Sequence, residues 1–203
     1  LLSHDNIEDL YLFELDLSGF DISDLRLGAK LKKVNLNGSK NVPMALIKGL
    51  LSHDNIEDLD LSELDLSDLD ISELILGAKL KKVNLFCADG PIELIRLLLS
   101  HNNIEHLNLS LLYFTDLDIS ELSLGDNLKT VNLSDSSNVP MALISRLLSH
   151  DNIEDLDLFN IDLAGLNISE LSLGAKLKKV TLNCSSNMSV ALIRGLLSHD
   201  NIE

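Results

Sequence analysis

The sequence predicts an α/β solenoid in which every coil gives one short strand to a parallel sheet and every second coil is backed by a helix. Three observations point to this. The pair Ser-His recurs at Ser3-His4, Ser52-His53, Ser100-His101, Ser149-His150 and Ser198-His199, in steps of 49, 48, 49 and 49 residues. A fixed period of that length marks stacked units rather than one globular core. Each step is itself double: Ile56-x-x-Leu59-x-Leu61 is answered 24 residues later by Leu80-x-x-Val83-x-Leu85. The same frame begins at Ile7, Leu31, Ile56, Leu80, Ile104, Leu128, Ile153 and Leu177, and a ninth opens at Ile202. Finally, helical spacing of apolar residues follows this hexad in alternate coils only. The expectation is one continuous domain over residues 1–203, made of eight coils of 24 or 25 residues without a linker.

The first coil opens with Ile7, Leu10 and Leu12 alternating with Asp9, Tyr11 and Phe13, one side buried and the other wet, as a short strand requires. In the second, Leu31, Val34 and Leu36 alternate with Lys33, Asn35 and Asn37 in the same way. Asn37-Gly38-Ser39-Lys40-Asn41 is a turn signal. Val42 to His53 then has apolar residues at three- and four-residue spacing, with Asn41 expected as N-cap and Pro43 near the first turn, so a helix is predicted there. Pro91 and Pro140 repeat this start signal, and Ser189 replaces it in the last copy. The intervening coils carry a five-residue subperiod, from Leu59-Asp60-Leu61-Ser62-Glu63 through Leu74-Ile75-Leu76-Gly77-Ala78, and are expected to be extended or rich in turns. That subperiod is similar to the pentapeptide-repeat right-handed β-helix, the alternative fold. The helical half-repeat that interrupts it at every pass argues against it.

The pattern L-x-x-L-x-L on coils of this length resembles the leucine-rich repeat family along the whole chain, and the helical coils are similar to its ribonuclease-inhibitor-like class, though shorter. The resemblance implies a curved horseshoe, with the parallel sheet on the concave side and helices on alternate coils of the convex side. It implies recognition of a partner without saying which, because function resides in a site and not in a fold.

Composition limits the possibilities. The chain is 45% apolar but only 3% aromatic, which suits ladders of Leu and Ile. A net charge of −16 excludes a protein that lives on phosphate backbones, which needs clustered Lys and Arg, so no nucleic-acid partner is expected. No apolar run reaches membrane-spanning length, and no membrane association is expected. Cys87 and Cys184 hold the same place in coils four apart, roughly 19 Å at the strand spacing of a sheet, well beyond disulfide reach. Six Asn-x-Ser sequons, several on or beside the strands, would obstruct those strands if glycosylated. Both features favour a reducing, cytoplasmic setting. The chain opens and closes inside a repeat, so a segment of a longer array is expected.

Catalytic and metal motifs are weak. Ser3-His4-Asp5 and its four copies contain the residue types of a hydrolytic triad, but neighbours at a helix end cannot converge as base and nucleophile must. His near a helix C-terminus instead complements the helix dipole. Asp58, Asp60, Asp65, Asp68 and Asp70 are held apart in a line by alternate apolar residues, unlike a calcium loop. The cysteines lack the close partners of a zinc site, and no phosphate-binding glycine loop occurs. No catalytic residue, metal or cofactor is expected.

The candidate site comes from comparing copies. Buried positions scarcely change, whereas outward ones do. The outward residues Asp9, Asp58 and Asp155 face Lys33, Lys82 and Lys179, which predicts a lateral ladder of ion pairs. Coil five has His106 and coil six Thr130 at these places, leaving a neutral patch of His106, Asn108, Ser110, Thr130, Asn132 and Ser134 with Tyr113 at its rim. Phe13, Phe86 and Phe159 fall three coils apart in one column. Drift at solvent positions should bring mostly small polar residues, yet Tyr11, Phe13, Phe86, Tyr113 and Phe159 are aromatic, and interface anchors favour such side chains. The binding residues expected on the concave face are therefore Tyr11, Phe13, Phe86, His106, Asn108, Ser110, Tyr113, Thr130, Asn132 and Phe159. The function expected is recognition of a protein partner without catalysis. The alternatives are the substrate-choosing part of a larger enzyme or effector, such as a ubiquitin ligase adaptor, and a scaffold that stacks end to end with its own copies.

Overall fold

Leu-x-Leu hexads can be buried on one side only if neighbouring coils stack in register, and the computed structural model, which describes residues 6–22, 26–167 and 171–202, shows that register. The chain forms two units, Leu1–Leu94 and Ile95–Glu203. In the first, β1 (Asp9–Tyr11), β2 (Lys33–Asn35), β3 (Asp58–Asp60) and β4 (Lys82–Asn84) lie side by side in chain order, and α1 (Met44–Leu51) follows β2. All three pairings are parallel: Leu10 lies opposite Val34, Val34 opposite Leu59, and Leu59 opposite Val83. Helix α2 (Ile92–Ser100) spans the division in sequence. The second unit repeats the plan with β5 (His106–Asn108), β6 (Thr130–Asn132), β7 (Asp155–Asp157) and β8 (Lys179–Thr181), again parallel and in order. Here α3 (Met141–Leu148) follows β6 and α4 (Val190–Leu197) follows β8. Among the described residues no helix lies between β1 and β2, β3 and β4, β5 and β6, or β7 and β8, so helical and turn-rich coils alternate as the sequence predicts.

The hexad positions form the core. In the six coils that start between Leu31 and Ile153, every hexad apolar residue is at most 3% exposed. The helices are only eight or nine residues long, too short to hold in isolation, and their buried faces hold them instead. Leu143, Ile144, Leu147 and Leu148 of α3 are all fully buried, worth about 2 kcal/mol each. On α4 the equivalents of Ile144 and Leu148 are Ile193 and Leu197, 39% and 81% exposed.

The helix start differs from expectation. Pro43 and Pro140, in extended backbone, are the N-caps of α1 and α3 and make no side-chain cap bond, whereas Ser189 of α4 caps with its side chain, accepting the Leu192 N–H. Asn41, expected as the cap, has φ +53° and spends its amide on the Asp16 carboxylate one coil back. An Asn at positive φ that holds two coils together cannot also cap the helix.

Each coil turns at one left-handed residue after its strand: Glu14, Gly38, Glu63, Cys87, Leu111, Asp135, Asn160 and Cys184, with φ between 52° and 61°. Only one is glycine, so the others hold a conformation that costs an L residue about 1 kcal/mol. Backbone bonds hold the corner. Leu111 N–H donates to the Ser134 carbonyl at 2.9 Å, and Ser136 N–H closes the turn back to Leu133 at 3.1 Å. Beyond the corner a second row of bridges links Asp16 with Lys40, Asp65 with Asp89, Tyr113 with Ser137, and Asp162 with Ser186.

Two further devices join the coils. In the helical coils a serine just after the corner bridges to the coil before it: Ser136 Oγ donates to the Leu109 carbonyl at 2.8 Å and accepts the Leu112 N–H at 3.0 Å. Ser39 and Ser185 do the same, and coil four has Ala88 in this place. Gly77, Gly125 and Gly174 donate their N–H groups to the terminal carbonyls Leu51, Leu99 and Leu148 of the preceding helices, 2.8 Å each. A Cβ at these glycines would sit 2.1 to 2.4 Å from the carbonyl oxygens of His53, His101 and His150, so no other residue fits.

Candidate interaction face

The outward positions of the strands lie where the alternation puts them, but most of their polar groups are already engaged. The Oδ1 atoms of Asn35, Asp60, Asn84, Asn108, Asn132 and Asp157 accept the backbone N–H two residues on, at 2.8 to 3.1 Å. These side chains close Asx turns that lead into the corners. Asn108 and Asn132, proposed from sequence as contact residues, therefore have a structural duty. Ser110 is only 3% exposed, and its hydroxyl donates to Asn108 Oδ1 at 2.7 Å.

The expected Asp–Lys ladder needs correction. Asp9 and Lys33, and Asp58 and Lys82, are register partners, yet among the described residues Lys179 with Asp155, at 3.1 Å, is the pair of this row within ionic distance. The ladder that forms stands one residue earlier: Lys32 with Glu8, Lys81 with Glu57, Lys129 with Glu105 and Lys178 with Glu154, at 2.5 to 3.1 Å. The hydrogen bond from Lys32 holds the Glu8 carboxyl below its usual range, and Lys178 does the same for Glu154. Coils five and six keep this row through Glu105 and Lys129, and one step on His106 Nδ1 meets Thr130 Oγ1 at 2.8 Å. The paired change from Asp and Lys to His and Thr thus puts a hydrogen bond at the step where Asp155 and Lys179 form an ion pair.

The aromatics divide. Tyr11 and Phe13 stand out from the first coil, 59% and 54% exposed, and Tyr113 is 77% exposed. Phe86 and Phe159 are half-buried. Phe86 is fixed by its backbone: its N–H donates to Asn84 Oδ1 at 3.0 Å, and its carbonyl accepts the Glu63 N–H at 2.8 Å. Within the first unit Phe13 and Phe86 occupy the same step of coils one and four, about 14 Å apart at the usual strand spacing, too far for the two rings to touch. Tyr113 lies past the corner at Leu111, on the second row of bridges, and not on the strand face with His106 and Thr130.

Ser3-His4 lies outside the described residues, and the other four Ser-His pairs sit at helix ends. Ser52 and Ser149 are C-caps, and Nδ1 of His53, His101 and His150 accepts the N–H of the asparagine two residues on, at 3.2 to 3.3 Å. Burial pushes all three imidazoles below their usual value. Cys87 and Cys184 are both exposed and free. Among the described residues no group of His, Cys, Asp or Glu could hold a metal ion, and no helix is long and apolar enough to cross a membrane. No known protein family matches the chain, and no curated protein is similar to it.

Proposed function

We propose that the chain is a leucine-rich repeat solenoid whose strand face recognises a protein partner, with the aromatic residues beside the strands as its anchors. One observation carries this reading: Tyr11 and Phe13 stay exposed on a row where the neighbouring polar groups are bonded to one another. A side chain with two rotatable bonds on a hydrogen-bonded backbone loses little entropy on binding, and burying a ring gives the largest gain per residue. The charge of −16 suits a partner with a basic or mixed surface.

The test is a pull-down with the chain beside a version in which coils five and six are replaced by a second copy of coils three and four, followed by Tyr11→Ser and Phe86→Ala in the parent. The reading expects a defined partner whose affinity drops at least tenfold, which is about 1.4 kcal/mol, in the point variants while melting is unchanged. Affinity untouched by every one of these changes would overturn it.

A second reading is end-to-end association of copies, which the exposed Ile193 and Leu197 favour because their equivalents are buried elsewhere. Light scattering at rising concentration tests it, and a monomer throughout would exclude it.

A further inference from the structure

The two units repeat one plan, so a surface that the sequence builds in the first and not in the second is informative. At the step after the strands, coils one to four carry Phe13, Asn37, Ser62 and Phe86, and coils five to eight carry Ser110, Ser134, Phe159 and Asn183. A ring at either end of two small polar residues occurs in the first unit alone. This row continues the register of the strands. Glu14 N–H donates to the Asn37 carbonyl at 2.8 Å, Gly38 N–H to that of Ser62 at 3.0 Å, and Glu63 N–H to that of Phe86 at 2.8 Å.

The floor between the rings is bonded to itself. Asn37 Nδ2 donates to Ser62 Oγ at 2.6 Å, the Ser62 hydroxyl donates to Asp60 Oδ1, and Asn35 Nδ2 donates to Asp60 Oδ2 at 3.2 Å. Ser62 is buried, whereas Phe13 and Tyr11 at the coil-one end are exposed. Phe13 and Phe86 are about 14 Å apart at the backbone. Less one van der Waals contact of about 3.5 Å, the space between them is about 10 Å, the width of an α-helix with its side chains. An extended segment, about 5 Å across in the plane of a sheet, would reach one ring and leave the other.

The same stretch is acidic. From the Tyr11 step to the corner, coils one to four carry Asp60, Glu14 and Glu63 and no Lys or Arg. Among the described residues none of these three carboxylates has a cation within ionic distance. The step before, Asp9, Lys33, Asp58 and Lys82, is balanced, and the second row of bridges sets Lys40 against Asp16, Asp65 and Asp89. Gly38 brings two of the acids together: a Cβ there would lie 3.6 Å from Glu14 Cγ and 3.9 Å from Glu63 Oε2, so both side chains reach over coil two. In the second unit the corners equivalent to Glu14 and Glu63 are Leu111 and Asn160.

We propose that this saddle of the first unit holds one α-helix of the protein partner, basic on the face it presents. A Lys or Arg of that helix meets Asp60 and Glu63, and aliphatic side chains on its two flanks pack against Phe13 and Phe86. The inference rests on the strand-face reading above and narrows it to a class of partner. A second copy of the chain, at a net charge of −16, has the wrong charge for the place.

The experiment is a nuclear magnetic resonance titration of the full chain with a helix-forming peptide of Leu, Lys and Ala whose Leu and Lys share one face. A scrambled isomer of the same composition and charge is the control. The expected result is saturable shifts at the Phe13, Asn37, Ser62 and Phe86 amides, a gain of peptide helicity on binding, and binding at least tenfold weaker for the scrambled isomer. Asp60→Asn keeps the Oδ1 acceptor that closes its Asx turn, as Asn35 and Asn84 do, and removes the charge. Combined with Glu63→Gln it is expected to weaken the peptide at least tenfold with melting unchanged, and Phe159→Ser in the second unit to leave binding as it was. Equal binding of the two isomers, shifts confined to other residues, or affinity untouched by Asp60→Asn/Glu63→Gln overturns the proposal. The same four shifts on concentrating the chain alone assign the saddle to a second copy and overturn it too. Should the double variant fail to fold, full affinity of the peptide for Phe13→Ser overturns it instead. A captured partner that needs Tyr11 and Phe13 but ignores Asp60→Asn/Glu63→Gln overturns the basic helix and leaves the strand-face reading in place.

Discussion

Replacing Ser136 by alanine removes one hydroxyl that serves two coils. Its oxygen donates to the Leu109 carbonyl at 2.8 Å and accepts the Leu112 N–H at 3.0 Å. Leu109, Leu112 and Ser136 are 0%, 5% and 8% exposed, so water cannot readily take over either backbone group. Each buried group left without a partner costs about 1–3 kcal/mol, and partial relaxation brings the expected loss for the pair to about 2–3 kcal/mol. Coil four supplies the reverse experiment, because Ala88 stands where Ser39, Ser136 and Ser185 stand in the other helical coils. Ala88→Ser should bridge the Leu61 carbonyl and the Leu64 N–H and stabilise by about 1 kcal/mol. Urea unfolding followed by circular dichroism measures both, with an unchanged slope as the sign that the unfolded state is the same. A loss below 0.5 kcal/mol for Ser136→Ala together with a destabilised Ala88→Ser would refute the bridging role.

Three further perturbations follow. Gly125→Ala puts a Cβ 2.4 Å from the His101 carbonyl oxygen and disturbs the Gly125 N–H bond to Leu99, and is expected to cost about 3 kcal/mol in the same unfolding assay. Leu111→Asn, at φ +57° on a 42% exposed residue, should stabilise by about 0.5 kcal/mol, since Asn tolerates the left-handed region better than Leu. Acid should loosen the helix ends. His53, His101 and His150 are held below their ordinary value of 6.5 by burial, so their stability is fully present above about pH 6.5 and is lost as pH falls from there through the lowered folded values. A protonated Nδ1 also ceases to accept the N–H of the following asparagine. Stability measured from pH 7.5 to 5 should fall, and His101→Asn, which keeps a side-chain acceptor without titrating, should reduce the slope.

The strand rows and the alternation of coil types were legible in the sequence because period-two burial leaves a direct mark, as in Leu31, Val34 and Leu36. The corners were not. Glu14, Glu63 and Leu111 adopt positive φ where their N–H groups bond carbonyls of the next coil, and nothing in a Glu or a Leu announces that. The Glu8–Lys32 ladder was missed although its signal was present: Glu and Lys alternate at that step through all eight coils, including coils five and six, where the Asp and Lys of the next step give way to His106 and Thr130. Asn41 was misplaced as a cap because an Asn before a helix fits two duties, and the nearby Asp16 decides between them. At the candidate site, exposure of Tyr11 and Phe13 followed from alternation alone, whereas the burial of Ser110 and the Asx duty of Asn108 depend on how the strand enters its corner.

The most direct test of the recognition account is the affinity of the isolated partner for the double variant Tyr11→Ser/Phe13→Ser, measured by calorimetry beside its melting curve. The account predicts at least a tenfold loss of affinity with an unchanged melting temperature. Full affinity in the double variant, or a lost fold, would contradict it.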